Sequence, residues 1–283
     1  MSGYQSRFCE SNLQLTGDFC GDRPEIAIGK CAACGLVQTV TDTHISVQDY
    51  ASDTHFPPDM TAIRGRELRW NQKRVKLLKQ HLPGIESRKI LDFGCGTGGF
   101  LEQAEQARFN VIGFDVSARV AREHGQRGWK CVSDFAEIDG DVDVVALFHV
   151  LEHLPMPWEN LAALRKSFPN AKTYVLEVPN TEEALNSVFG NAAYRRNHFC
   201  HDHLYYFSEK TFKATIERAG LRIQFFTQTQ RYTLANNLGW LANNKGGAQN
   251  VWTMFNGDAL NDAYEKVLAE HGVGDSLFAI CSV

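Results

Sequence analysis

One stretch limits what this chain can fold into more than any other: Lys89-Ile90-Leu91-Asp92-Phe93-Gly94-Cys95-Gly96-Thr97-Gly98-Gly99-Phe100. Lys89 to Phe93 has the length and apolar character of a short buried strand. The glycines that follow force a tight turn into a helix opening near Gly99. Gly94, Gly96 and Gly98 form a G-x-G-x-G run, one spacer shorter than the usual dinucleotide fingerprint. Glycine suits such a turn because it adopts positive φ without strain and lets a ligand approach the backbone. Asn110-Val111-Ile112-Gly113-Phe114-Asp115 then reads as a second strand ending in an acid. In an open α/β sheet ligands bind beyond the carboxyl ends of the strands, and an acid placed there accepts ribose hydroxyls.

The rest of the middle of the chain alternates in the same way. Helices are expected near Gly99–Ala107, Ala118–Arg127 and Trp158–Ser167, with strands at Lys130–Val132, Val142–Phe148 and Thr173–Val178. Strands alternating with helices at this spacing argue for a parallel, doubly wound sheet. Right-handed crossovers would bring the strands' carboxyl ends to one edge.

Residue by residue, Asp92, Gly94, Gly96 and Gly98, with Asp115 on the next strand, resemble the first motifs of the class I S-adenosylmethionine-dependent methyltransferases. The resemblance implies a seven-stranded, mostly parallel Rossmann-like sheet whose last two strands pair, the seventh antiparallel. It implies a site for S-adenosylmethionine in which the backbone of Gly94 to Gly98, with Cys95, lies against the amino-acid portion. Asp92 would organise that loop or reach the ammonium group, and Asp115 with its neighbour Val116 would hold the ribose. Ser133-Asp134-Phe135 corresponds to the family position that contacts adenine. Phe148-His149-Val150-Leu151-Glu152-His153-Leu154 matches a common family stretch and implies that His149 lies near the methionine moiety. Glu152 and His153 either join it or brace the following turn.

The segment His198-Phe199-Cys200-His201-Asp202-His203-Leu204-Tyr205-Tyr206-Phe207-Ser208 looks like the family's H-x-H-x-x-Y-F-S segment at the pocket mouth. Three readings stay open there: packed structural residues, His201 or His203 as general base with His149, or a metal held by the histidines with Cys200 or Asp202. Arg195 and Arg196 are candidates for an anionic group such as a nucleotide-sugar diphosphate.

Half of the eight cysteines fall in the first thirty-five residues. Cys31-Ala32-Ala33-Cys34-Gly35 is a C-x-x-C knuckle, whose thiolates can grip one tetrahedral Zn²⁺. A second knuckle would need a partner for Cys9, where Asn12 stands, so Cys20 is the substitute fourth ligand. Cys34-Gly35-Leu36-Val37-Gln38 resembles the N-terminal zinc segment of sugar C-methyltransferases. A site of Cys9, Cys20, Cys31 and Cys34 would be structural, since four thiolates leave no open position. The alternative is a decayed knuckle of free thiols.

These elements divide the chain into a zinc-binding segment (1–45), a helical lead-in (46–84), a core (85–228), a helical cap insertion (229–275) and a final strand (276–283). Tyr50, His55 and Phe56 read as surface loop first, with the substrate side of the lead-in as the alternative. A helix is expected over Phe207–Ala219 and a strand over 221–228. Within the cap, helices are expected at Tyr232–Leu241 and Asp258–His271.

Composition narrows the partners. The net charge of −4 gives no footprint for a nucleic-acid backbone. The cluster Arg64, Arg66, Arg69, Lys73, Arg74 and Lys76 reads as a solvated helix face before it reads as a phosphate track. No apolar run approaches a membrane span. The N-terminus lacks a secretory segment, so a cytoplasmic monomer or homodimer acting on a small molecule is expected. The absence of a [D/N]-P-P-[F/Y/W] motif after the fourth strand counts against methylation of exocyclic base nitrogens or glutamine amides.

The first reading is a methyltransferase for the oxygen or carbon of a sugar or nucleotide-linked sugar in glycan or natural-product biosynthesis. Its rivals are an enzyme for another small hydroxylated metabolite, a zinc-containing RNA methyltransferase, and a non-catalytic scaffold.

Overall fold

The structure, a computed structural model, describes residues 4–52, 56–57, 59–138 and 141–283; the side chains of residues 62 and 64–66 are also outside the description. His55 of the expected cover and Pro58 of the expected break therefore lie outside the described residues, as do the side chains of Arg64 and Arg66.

Strands β1 (Leu13–Phe19), β2 (Ala27–Cys31) and β3 (Val37–Thr39) come first, then a short helix α1 (Val47–Ala51) and the long α2 (Thr61–His81). The alternating core follows as β4 (Lys89–Phe93), α3 (Gly99–Gln106), β5 (Asn110–Phe114), α4 (Ala118–Gln126), β6 (Cys131–Val132), β7 (Val144–Phe148), α5 (Pro157–Ser167) and β8 (Thr173–Pro179). Two short helices, α6 (Ala184–Ser187) and α7 (Ala192–His198), and a two-residue strand β9 (Tyr205–Tyr206) lead to α8 (Glu209–Arg218). The chain closes with β10 (Arg222–Thr229), α9 (Leu234–Asn243), α10 (Asp258–Glu270) and β11 (Ser276–Ser282).

Seven strands form the main sheet in the order β10-β11-β8-β7-β4-β5-β6. β4 pairs in parallel with both β5 and β7, and β7 with β8. Only β11 runs against its neighbours, β8 and β10. All five residues of β7 are buried, as a central strand covered on both faces requires. The period of two sorts them. Leu91, Val145, Leu147 and Leu176 pack on one face against Leu161 and Leu164 of α5 and Phe212 and Ile216 of α8. Ile90, Val144, Ala146 and Val175 pack on the other against Leu78 of α2 and Phe100 and Ala104 of α3.

Helix starts follow local chemistry. Ser117 caps α4 by accepting from Val120 N, and Ser208 with Thr211 forms a capping box for α8. That cap moves the start of α8 to Glu209, so Phe207, expected inside the helix, is instead a buried core residue before it.

A second, four-stranded sheet has the order β1-β2-β3-β9. Its last strand comes from the segment read as loop from sequence: Val37 pairs with Tyr206 and Gln38 with Tyr205. Arg7 secures the junction by donating to Leu204 O at 2.9 Å and Tyr205 Oη at 3.1 Å.

The lead-in helix and the cap meet over the sheet. Arg69 pairs with Asp262 at 2.8 Å, Lys73 pairs with Glu265, and the Arg231 guanidinium sits over the Trp70 ring at 5.2 Å. Arg74 reaches inward to Glu177 at the end of β8 at 2.5 Å, and both side chains are buried. The basic cluster on α2 is therefore engaged at Arg69, Lys73 and Arg74 rather than presented as a phosphate track. A buried carboxylate left without its cation is costly. Arg74→Leu should lower the unfolding free energy in urea titration by about 3–5 kcal/mol. A loss below about 1 kcal/mol, the range of an exposed pair, would show that Glu177 does not depend on Arg74.

Candidate active site

A cleft of about 340 Å³ opens beyond the carboxyl ends of β4, β5 and β7. The turn after β4 forms its floor. Gly94, Gly96 and Gly98 have φ of +78°, +50° and +78°. Space adds to the demand: a Cβ on Gly94 would stand 2.6 Å from Val150 Cγ2, and one on Gly98 would stand 2.7 Å from His124 Cε1. Asp115 holds the turn from the neighbouring strand. Its Oδ2 accepts from Gly96 N at 2.9 Å and its Oδ1 from Ser117 N at 3.0 Å.

Beside the turn stands an acidic pair with opposite electrostatics. Burial pushes the Asp92 carboxyl up to about 7; the Arg74 guanidinium pulls against that and Asp115 adds to it. Burial raises Glu177 as well, but there Arg74 prevails and holds the carboxyl well below the usual range. Asp92 is thus the acid of the floor that lacks a full counter-charge.

The next wall is histidine-rich. His149 follows β7 with φ of +57°, a left-handed conformation that non-glycine residues rarely adopt and that clusters at functional sites. Its Nδ1 lies 3.3 Å from Glu152 Oε1 and its Nε2 3.8 Å from Glu177 Oε1. His153 sits on a single 3₁₀ turn, Leu151–His153, with Nδ1 2.9 Å from Asp202 O. Tyr50 Oη donates to the same carbonyl at 2.7 Å. The carbonyl takes the Nδ1 proton of His153, which leaves Nε2 as the acceptor. The His203 ring packs edge-on against His153 at 4.8 Å.

The structure sorts the residues expected from sequence. Asp92, Gly94, Cys95, Gly96, Asp115, Val116 and His149 line the cleft, as do Tyr50 and Phe56 of the lead-in. Gly98 shapes the turn from outside the lining, because its α-carbon faces His124. Ser133, Asp134 and Phe135 are also not among the lining residues. Asp134 caps the next turn through Ala136 N, and Phe135 packs on Phe93, Phe114 and Phe168 behind the wall. His201 is drawn away into the N-terminal sheet's edge, where Asp22 Oδ2 holds Nδ1 at 2.6 Å and Asp202 Oδ1 lies 3.1 Å from Nε2. His203 stands behind His153 rather than on the cleft surface. Arg195 is committed to Asp18 through bonds of 2.7 and 2.6 Å, so it is not an open anion site.

Sequence reasoning passed over Glu67, Trp70, Asn71 and Arg74 of α2, and Arg231 of the cap, all of which line the cleft. The Nε of Arg231 is buried and has no hydrogen-bond partner. Nothing local marks these residues, because α2 and the cap meet the cleft only through tertiary packing.

A separate cluster lies at the N-terminus. One ligand atom each from Cys9, Cys31 and Cys34 falls within 4.8 Å of the others, with Cys9 and Cys31 Sγ 3.4 Å apart. Cys20 is not with them. It is buried among Ile26, Ile28, Phe199 and Tyr206, separated by the length of β2 from Cys31. Ser6 stands beside the three sulfurs instead, its Oγ 4.0 Å from Cys34 Sγ. The two knuckles share one hydrogen-bond pattern. Gly35 N donates to Cys31 O and Cys31 N to Leu36 O, while Glu10 N donates to Ser6 O and Ser6 N to Ser11 O. Glu10 and Gly35 occupy equivalent positions with φ of +59° and +82°. Cys9 therefore pairs backward with Ser6, not forward with Asn12.

Comparison with known proteins places this geometry. A family model described as a methyltransferase domain matches residues 63–224, more than half of the chain. Among curated relatives, the ubiquinone biosynthesis O-methyltransferase of Erwinia tasmaniensis is 34% identical over 143 residues, covering 42% of this chain and 59% of that protein. The protein of the same name from Photobacterium profundum is 27% identical over 194 residues, covering 60% and 79%. The chain thus spans less than two thirds of the first of these and more of the second. A solved S-adenosylmethionine-dependent methyltransferase from Archaeoglobus fulgidus shares the fold with a TM-score of 0.50 at 20% identity, covering 80% of this chain and all of that one.

The raised Asp92 carboxyl gives a pH dependence with a definite sign. A ligand ammonium group favours ionised Asp92, so below about 7 binding must first remove a proton. Affinity for S-adenosylhomocysteine should fall between about pH 7 and 5.5, by at most about tenfold per unit. Asp92→Asn should bind more weakly with a flat profile over that window. Calorimetry showing an unchanged slope in Asp92→Asn would remove Asp92 from contact with the ligand.

Proposed function

Since the chain belongs to the class I S-adenosylmethionine-dependent methyltransferases, we propose that it transfers a methyl group to a hydroxyl oxygen of a small acceptor, a sugar or nucleotide-linked sugar. The observation that carries this reading is a single cleft joining the glycine turn and Asp115 to a histidine wall and to Arg231 of the cap.

S-adenosylmethionine supplies, when bound, a methyl group activated by its sulfonium. The protein's part is to bind, orient and handle the proton. The backbone of Gly94 to Gly96 is the surface that admits the amino-acid portion, because the positive φ of Gly94 and Gly96 keeps it free of side chains at those two positions. Asp92 meets the ammonium group. Asp115 is the bidentate acceptor for ribose hydroxyls. His149, which lines the cleft beside the glycine turn as His201 and His203 do not, takes the acceptor's proton. Arg231 takes the place of Arg195, which is held by Asp18, and of Arg196, which is exposed and not among the residues lining the cleft, as the cation for an anionic acceptor group, since its Nε is buried without a partner.

Oxygen is preferred over carbon because two relatives are named O-methyltransferases. Their names also favour a second reading, a phenolic acceptor of the ubiquinone type. The RNA reading loses support, because Arg69, Lys73 and Arg74 are paired within the fold.

The assay that tests this reading offers nucleoside-diphosphate sugars and dihydroxyphenols in turn with S-adenosylmethionine, and follows S-adenosylhomocysteine release. Turnover with the sugars, weakened in KM by Arg231→Gln, is expected. Turnover confined to the phenols would transfer the assignment to the second reading. Turnover with neither, in a protein that binds S-adenosylhomocysteine, would contradict both. Asp115→Ala should weaken S-adenosylhomocysteine by at least about tenfold, the cost of losing a charge-assisted pair of bonds.

The N-terminal cluster is proposed as a structural zinc site of Cys9, Cys31 and Cys34 with Ser6 at the fourth corner. The three close sulfurs and the paired knuckles support it. Ser6→Cys should complete a four-thiolate site and tighten zinc by about tenfold or more, while Cys31→Ser should abolish binding. Metal analysis finding no zinc in the wild type or Ser6→Cys would return these residues to free thiols.

A further inference from the structure

The histidine wall holds a second cluster that methyl transfer does not account for. Glu152, His153 and His203 each offer one ligand atom, and the three atoms lie within 4.8 Å of one another. Both carboxylate oxygens of Glu152 are buried without a hydrogen-bond partner, and so is Nδ1 of His203. Glu152 is 0% exposed, so its carboxylate is cut off from bulk water. Its nearest polar side-chain neighbours are ring nitrogens: His149 Nδ1 at 3.3 Å and His153 Nε2 at 3.9 Å. None of these contacts has the geometry of a hydrogen bond. Leaving a buried carboxylate unsatisfied costs several kcal/mol in general. The fold nevertheless assembles this arrangement from two distant segments, with Leu204 N bonding to Glu152 O at 2.8 Å to bring the two strands of chain together.

We propose that Glu152, His153 and His203 bind a divalent transition-metal ion at the wall of the cleft. Two imidazoles and one carboxylate are a donor set suited to Mn²⁺, Fe²⁺, Co²⁺ or Zn²⁺ rather than to the hard cations Mg²⁺ and Ca²⁺. The second shell is already in place: Nδ1 of His153 is held by Asp202 O, which fixes the tautomer that turns Nε2 toward Glu152. Three donors on one ion at about 2.0–2.2 Å stand roughly 3.5 Å apart, so the side chains would close on the ion by about an ångström, within the reach of a small χ adjustment. His149 and His153 also line the cleft. The ion therefore stands within reach of an acceptor, and the acceptor class it favours is one with two neighbouring oxygen donors, a vicinal diol. That last step rests on the methyl-transfer reading; ion binding does not.

Mn²⁺ is the probe, because its preference for nitrogen and oxygen donors separates this site from the thiol cluster. Full-length protein is stripped with chelator, its thiols are reloaded with zinc, and Mn²⁺ is titrated with loss of the free-ion electron paramagnetic resonance signal as readout. One ion per chain is expected, weakened by about tenfold or more in His203→Asn and Glu152→Gln. S-adenosylhomocysteine binding, measured on the same samples, reports folding. If Glu152→Gln fails that control, His203→Asn and His153→Asn carry the comparison. Absence of Mn²⁺ binding to the wild type, or binding unchanged in folded variants, overturns the proposal. Mn²⁺ binding without turnover on any diol would leave the site standing and contradict the vicinal-diol acceptor.

Discussion

Everything in the cleft depends on one backbone turn held in a left-handed conformation. Gly94, Gly96 and Gly98 all take positive φ, and a Cβ at the first or last would collide with Val150 or His124. The turn cannot hold itself. Asp115, on the neighbouring strand, accepts from Gly96 N and so couples the loop after β4 to the end of β5. Parallel pairing of β4 and β5, with Asp92 opposite Gly113, brings the acid to the height of the loop. A ligand seated there thus senses two strands and a turn as one rigid unit, which is what orientation of a small reactive group requires.

The opposite wall is built by a different device. The N-terminal sheet is completed by β9, and Arg7 donates into the same segment at Leu204 and Tyr205. That segment in turn is bonded to the turn carrying Glu152. The thiol cluster at one end of the small sheet and the histidines at the other are therefore mechanically linked. This gives the N-terminal module a role in placing residues at the cleft.

What the sequence made legible was local. The strand, glycine turn and acid declare themselves within neighbouring residues, and the alternation of strands and helices points to a parallel, doubly wound sheet; its seven strands and antiparallel last strand were implied only by the family resemblance. What stayed hidden depends on long-range pairing. β9 has two residues and no periodicity, so its place in the N-terminal sheet leaves no trace in the segment itself. Spacing alone could not show whether Cys9 pairs forward with Asn12 or backward with Ser6; the backbone hydrogen bonds decide it. Cys20 and His201 are residues of reactive type that serve packing and a hydrogen bond with Asp22, respectively. Arg231 and Trp70 reach the cleft only because the cap folds over α2. A cation at a turn between a strand and a helix carries no local mark of that destination.

The most direct test of the central claim is a crystal structure of the full chain with S-adenosylhomocysteine. The account predicts the ligand in this cleft, with its ribose hydroxyls in hydrogen-bond contact with Asp115, its ammonium group beside Asp92, and its sulfur pointing toward His149. Ligand bound elsewhere on the fold, or in the cleft with the ribose away from Asp115, would contradict the account at its foundation.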